Sequence, residues 1–309
     1  MKVAVLMGGG TSEHEISLLS GQAVCGALRE RGHEVHELVL DSPVDLQAGL
    51  GAVTTEVVFI ALHGGAGEDG RVQAALEQTS MPYVGSRPDP CAIAMDKART
   101  KQLARELGVP VVDEAVFAAD ATDTAILDAA AALGPATVFK PVDEGSAVGV
   151  NLCDDLQSLA RALAEVGRRE GRWMLEPLVP GRELTVGVVC EQACPVIEIR
   201  PLHGFYDYVN KYTAGNTEYD CPADLPGPQA ARVASDAMRL YRALELRDMA
   251  RIDFRLDPAR GHFLLEANTI PGMTATSLLP MGAAAIGMDF PTLCERLCQA
   301  AMERGADLQ

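Results

Sequence analysis

The chain has 309 residues, a length that fits two domains or three small ones, and 48% of them are hydrophobic, enough to build real cores. Its 43 acidic against 26 basic residues give a net charge of −17, so neither nucleic acid nor an anionic membrane gains electrostatically by binding it. No apolar window approaches a membrane span, and the run MKVAVLM is too short for a signal peptide before glycine breaks it. The eight cysteines include no CxxC pair; Cys294 and Cys298, one helical turn apart, read as small buried apolar residues of a protein kept in a reducing cytoplasm.

Residues 2–7 predict a buried strand that runs into Gly8-Gly9-Gly10-Thr11-Ser12. Apolar residues from Ile16 to Leu28 at helical spacing predict a helix ending near Gly32. Strands at 34–40 and 56–62, a helix at 70–79 and a short strand at 81–84 follow. Strands alternating with helices argue for a parallel, doubly wound sheet with binding loops at the carboxyl ends of its strands. Those ends carry Glu13, Glu15 and His63. The triple glycine is neither GxGxxG nor followed by GK[ST], so it supports neither a dinucleotide fingerprint nor a P-loop. Glu15 is expected to hold a substrate ammonium and His63 to steady the same substrate, although the helix dipole favours an acid in a first turn in any case.

A helix at 95–107 ends at Gly108-Val109-Pro110, a boundary into a second domain, and Lys97 upon it reads, taken alone, as a solvated charge. After a helix at 123–133, the strand 136–141 carries Lys140 and leads through Glu144-Gly145-Ser146-Ala147-Val148-Gly149 into another strand at 150–153. A glycine-containing loop joining strand to strand is a hairpin flap. Its free N–H groups and the Ser146 hydroxyl can cover phosphates, with Lys140 as a point charge; a ligand-free hairpin tip would read similarly. A helix at 155–169 and a strand at 172–176 precede LEPLVPGRE at 175–183, which suits an adenine slot with Glu183 on ribose hydroxyls, or an interdomain hinge. Strands at 183–190 and 194–200 come next. The stretch 203–222 holds four of the six tyrosines without periodicity and reads as an active-site lid tipped by Lys211-Tyr212, or else as a packed Ω-loop.

Helices at 228–244 and 289–304 bracket two apolar runs, 249–256 and 262–267, joined by the turn Asp257-Pro258-Ala259-Arg260-Gly261. Pairing Asp257 with His262 sets Asp253 opposite Glu266, and period-2 alternation puts Arg251, Asp253, Glu266 and Asn268 on one face. Two carboxylates that close repel unless a cation separates them, and a carboxamide beside them completes a hard oxygen set suited to Mg²⁺. A surface hairpin with scattered charges has the same spacing. The exit Thr269-Ile270-Pro271-Gly272-Met273-Thr274, which frees backbone N–H groups for a ligand, favours a site.

ALHG around His63, MDK at Lys97, EGSAVG after Lys140, the tyrosines from 206 to 212, RID at 251–253 and LEANTIPGMT at 265–274 stand in one order across nearly the whole chain. Together they resemble the D-alanine–D-alanine ligases of the ATP-grasp superfamily. The resemblance implies an α/β chain, α+β in its ATP-binding part. A Rossmann-like substrate-binding domain would span 1–94, a central ATP-grasp subdomain 95–182 and a catalytic ATP-grasp domain 183–309. It implies ATP and two Mg²⁺ (or Mn²⁺), with Asp253, Glu266 and Asn268 as metal ligands. Lys97 and Lys140 would bind phosphates, Lys211 the nucleotide from the lid, and Glu176, Pro177, Val179 and Glu183 the nucleoside. Glu15 would bind the ammonium of a first D-alanine, and Ser277 with the Leu278 N–H the carboxylate of a second. Arg251 and the Gly272 N–H would stabilise a tetrahedral oxyanion, while Ser146 and Tyr212 tie flap and lid to Glu15. A cytoplasmic homodimer making peptidoglycan precursors is the further expectation; D-alanine–D-lactate ligation and a non-catalytic nucleotide-binding protein are the alternatives. Pro177, Ala147 and Val209-Asn210 depart from the common pattern, where a lysine, a second serine and Glu-Ala are frequent.

Overall fold

In the computed structural model, residues 1–42, 45–167, 169–206, 210, 211, 213 and 215–306 are described. The expected mixed α/β architecture with a parallel N-terminal sheet is found, and two antiparallel sheets follow it. The first sheet runs in the order β2 (Glu34–Leu40), β1 (Lys2–Gly8), β3 (Val57–Ile60) and β4 (Tyr83–Val84). Its central strands are buried on both faces, which is why they read as unbroken apolar runs instead of alternating ones. Helix α1 (His14–Glu30) lies so close on β1 that a Cβ at Gly21 would stand 2.5 Å from the Met7 Cβ. Nearer the helix start, Ser17 Oγ accepts from Gly8 N at 2.8 Å and donates to Ala61 O at 2.6 Å, which ties α1 to the carboxyl ends of the strands.

Three helices escaped the sequence reading: α2 (Leu46–Gly51), α4 (Pro88–Met95) and a later one at Leu278–Ala285. In α4 the prolines at 88 and 90 occupy the first turn, where a missing N–H costs nothing and the fixed φ is already helical. Helix α3 is Arg71–Glu77. Helix α5 (Lys97–Glu106) starts at Asp96, whose side chain accepts from Arg99 N.

A four-stranded antiparallel sheet orders β5 (Ala115–Phe117), β8 (Trp173–Pro177), β6 (Thr137–Pro141) and β7 (Asn151–Cys153). Helices α6 (Asp123–Leu133) and α7 (Leu156–Val166) cover one face, and Phe139 stacks on Trp173 at 4.7 Å. The larger antiparallel sheet orders β12 (Thr217–Asp220), β11 (Ile197–Pro201), β9 (Arg182–Val189), β13 (Met249–Asp257) and β14 (Gly261–Asn268), with β10 (Gln192–Ala193) on β9. Strand β12 lies inside the stretch expected to be wholly irregular.

Packing divides the chain differently from the boundaries at 94 and 182. Ala104 and Val109, from a segment expected to open the central domain, are buried in the core of the larger sheet with the helix Gly227–Ala243. Leu293, Leu297, Cys298 and Ala301 of the final helix Phe290–Ala306 complete the core of the first sheet, so Cys294 and Cys298 are indeed small buried residues. All eight cysteines are unpaired. Filling the α1–β1 contact should be costly: Gly21→Val is expected to lower stability by about 2–3 kcal/mol through overpacking, read as a shift of the urea midpoint at unchanged slope.

Candidate active site

Strands β13 and β14 pair with Asp257 opposite Gly261, one residue tighter at the turn than expected. The reason is local: the Asp257 carboxylate accepts from the backbone N–H of Ala259 and Arg260 at 2.8 and 3.0 Å, closing a short turn. A β-bulge after Phe254 then absorbs Leu265 as an extra residue, and beyond it Asp253 faces Glu266 and Arg251 faces Asn268, as expected. Without that bulge strict alternation would turn Glu266 to the side of buried Leu264.

Arg251 clamps Asp253 with N···O distances of 2.9 to 3.2 Å, and Thr185 Oγ1 donates to the same carboxylate at 2.6 Å. Lys97 Nζ stands 3.2 Å from Glu266 Oε2 and donates to Glu144 O at 2.6 Å. Burial alone would raise the Glu266 carboxyl; Lys97, Lys211, Lys140 and Arg251 together outweigh it and hold the group at about 2. Among the described residues no three His, Cys, Asp or Glu side chains gather as a metal cage. The two acids and the Asn268 carboxamide are a short, all-oxygen set, which fits a Mg²⁺ that keeps water and phosphate ligands.

Two cavities meet here and share a wall of Lys97, Glu144, Tyr206, Lys211 and Glu266. The larger, about 1080 Å³, reaches from the carboxyl ends of β1 and β3 to the segment after β14, and Arg251, Asn268, Gly272, Ser277 and Leu278 line it. Of the two N-terminal acids, Glu13 lines it and Glu15 does not. Helix α1 begins at His14, which leaves Glu13 at the strand end, buried, and turns Glu15 outward to solvent. Ser146 Oγ donates to Glu13 Oε1, so the flap does reach an N-terminal acid, two residues before the expected one. Burial, then Glu68, raises the Glu13 carboxyl; the Ser146 hydrogen bond, His63 and Lys211 pull it down. His63 is buried between Ile270 O at 3.0 Å and Ser20 Oγ at 2.9 Å, and so joins the first sheet to the chain leaving β14. Ser277 Oγ accepts from Thr274 N at 3.1 Å.

The smaller cavity, about 160 Å³, lies between the two antiparallel sheets, against Glu176, Pro177, Val179 and Glu183. Glu176 is only 2% exposed, and each of its oxygens has its own lysine, Lys140 Nζ at 2.5 Å and the Nζ of Lys101. Lysine 101 was not expected here; its signal is the i+4 spacing from Lys97. Burial would raise the Glu176 carboxyl, but Lys101 and Lys140 hold it at about 2. Arg255 contacts Glu183 at 3.4 Å and Val179 O at 3.2 Å.

Over the shared wall, Lys211 Nζ lies 5.1 Å from the Tyr206 ring, and Tyr206 and Tyr219 touch through their hydroxyls at 3.2 Å. Asn210 anchors this segment by donating to His203 O and Phe205 O at 2.9 and 2.8 Å. Tyr208, Val209 and Tyr212 lie outside the described residues. In the flap, Ser146 and Ala147 both adopt positive φ, a strained arrangement for side chains that is held over the cavities by the Glu13 contact.

Burial, with Asp253 and Glu266 adding to it, raises the Glu183 carboxyl to about 7 against the pull of Lys211 and Arg255. An acid whose folded pKa exceeds its unfolded one stabilises below the unfolded value and loses that contribution as pH climbs through the folded value. The ligand-free protein should therefore lose about 3 kcal/mol relative to Glu183→Gln between pH 4.5 and 8, measured from paired urea titrations.

Comparison with known proteins agrees with this geometry. The family models for the D-ala D-ala ligase N-terminus and C-terminus match residues 40–86 and 103–299. A D-alanine–D-alanine ligase of Anaeromyxobacter sp. (strain Fw109-5) is 44% identical over 301 residues, spanning 97% of this chain and 96% of that one. One from Aquifex aeolicus (strain VF5) is 44% identical over 293 residues, spanning 95% and 98%. A crystal structure of the Bacillus anthracis D-alanine–D-alanine ligase covers the whole of both chains at a TM-score of 0.87 and 30% identity, and one complexed with ATP does so at 0.86 and 28%. With models covering most of its length and relatives above 40% identity end to end, this chain belongs to the D-alanine–D-alanine ligase family.

Proposed function

We propose that this ligase joins two D-alanine molecules at the expense of ATP, through an acyl phosphate, to supply D-alanyl-D-alanine for peptidoglycan precursors. The observation that carries the reading is Glu266, which lines both cavities where they meet and is paired across the ladder with Asp253. ATP would lie in the smaller cavity, its nucleoside against Glu176, Pro177, Val179 and Glu183, its phosphates toward Lys97, Lys140 and Lys211. Magnesium held by Asp253, Glu266 and Asn268 would neutralise charge on the transferring phosphoryl group, a reaction that mostly requires positioning.

In the larger cavity Glu13, in place of Glu15, would take the ammonium of the first D-alanine, with His63 steadying its surroundings. The γ-phosphoryl group passes to that substrate's carboxylate oxygen and ADP leaves. The amine of a second D-alanine, its carboxylate on Ser277 and the Leu278 N–H, then attacks the carbonyl carbon. Arg251 and the Gly272 N–H would stabilise the resulting oxyanion, each such donor contributing about 3 kcal/mol. Collapse expels phosphate and leaves the amide. The Ser146–Glu13 bond would keep the flap shut against water during the acyl-phosphate stage. No helix among the described residues is long and apolar enough to cross a membrane. The homodimer is carried by family resemblance, and sedimentation velocity tests it.

Purified protein should release ADP and phosphate only when D-alanine and Mg²⁺ accompany ATP. Asp253→Asn should cut that rate by about 10³-fold or more. Binding of ATP without D-alanine-dependent ADP release would instead favour a non-catalytic nucleotide protein, and an ester formed with D-lactate would favour the depsipeptide alternative. Glu13→Gln should raise the KM for D-alanine by about tenfold or more, whereas Glu15→Gln should leave it within about twofold. The reverse ranking would return the ammonium to Glu15.

A further inference from the structure

Lysine 101 has no part in the chemistry above. It lies one turn beyond Lys97 on α5, is 0% exposed, and lines neither cavity. A lysine buried to that degree needs a compensating charge, and its ammonium has one hydrogen-bonding partner among the described residues, Glu176 Oε2. The nearby Glu114 is occupied by Arg105. Lys140 holds the other oxygen of Glu176 at 2.5 Å, and both Glu176 and Lys140 do line the smaller cavity. One carboxylate between two ammonium groups leaves a surplus of one positive charge, and only Lys140 presents that surplus to the cavity.

We propose that Lys101 is a positioning residue for nucleotide binding: by neutralising Glu176 from behind, it leaves the charge of Lys140 available to an incoming phosphate. Without it, Glu176 and Lys140 become a one-to-one pair with no surplus, and the carboxylate is free to draw Lys140 onto both oxygens. The geometry also holds the carboxylate plane fixed, because each oxygen is tied by a different helix or strand. This inference rests on the placement of ATP in the smaller cavity.

The test is calorimetric titration with MgADP, together with steady-state kinetics. If the wild-type protein binds no MgADP, the nucleotide reading itself falls, before any variant is made. Given wild-type binding, Lys101→Met should weaken MgADP by about tenfold and raise the KM for ATP in step, with the KM for D-alanine within about twofold. In the double variant Lys101→Met with Glu176→Gln the stranded carboxylate is gone, and MgADP should bind within about threefold of Glu176→Gln alone. A merely structural lysine predicts no such loss of effect. Unchanged binding by Lys101→Met, or a double variant about tenfold weaker than Glu176→Gln, overturns the proposal. Should Lys101→Met fail to fold, the comparison of the double variant with Glu176→Gln decides alone: binding within about threefold supports the proposal, and a roughly tenfold loss overturns it.

Discussion

The structure depends on two carboxylates, Asp253 and Glu266, that face each other across one ladder. Like charges so placed are tolerable only where cations are interleaved. In a chain with a net charge of −17 those cations are scarce, and they are gathered here: Arg251 on Asp253, Lys97 on Glu266, and Lys140 and Lys211 within electrostatic reach. Each arrives from a different part of the fold, Lys97 from a helix packed on the larger sheet, Lys140 from the central sheet, Lys211 from the tyrosine-rich segment. The acids thus act as the point toward which these separate segments converge.

That convergence gives the shared wall its importance. Lys97 touches the flap through Glu144 O and the floor through Glu266, so a ligand that competes for its ammonium on one side alters what it does on the other. The flap is tied in turn to Glu13 at the opposite end of the larger cavity. The two cavities are therefore joined through a short chain of charged contacts, without need of a long structural relay.

Much of this was legible beforehand because period-2 alternation is a strong signal. It puts Arg251, Asp253, Glu266 and Asn268 on one face, and helical spacing gives α1, α5 and the last helix. The bulge at Leu265 was not legible, since an extra residue in a strand leaves no mark in an apolar run; the expected register was right at the acids and one residue out at the turn. Glu13 and Glu15 could not be separated by residue type. What separates them is where α1 starts, a boundary that no side-chain capping hydrogen bond announces. Lys101 was hidden for a related reason: a lysine on an amphipathic helix reads as solvated until the carboxylate that buries it, 75 positions away, is brought alongside.

The final helix has a consequence for how the molecule comes into being. Arg31 and His33 meet Glu295 some 264 positions further along, and Leu293, Leu297 and Ala301 fill the space beneath the first strands. A nascent chain therefore carries β1 and β3 with part of their apolar lining missing until the helix Phe290–Ala306 has been made. Those strands are synthesised well before the helix that seals them, and for that interval their buried face stays open.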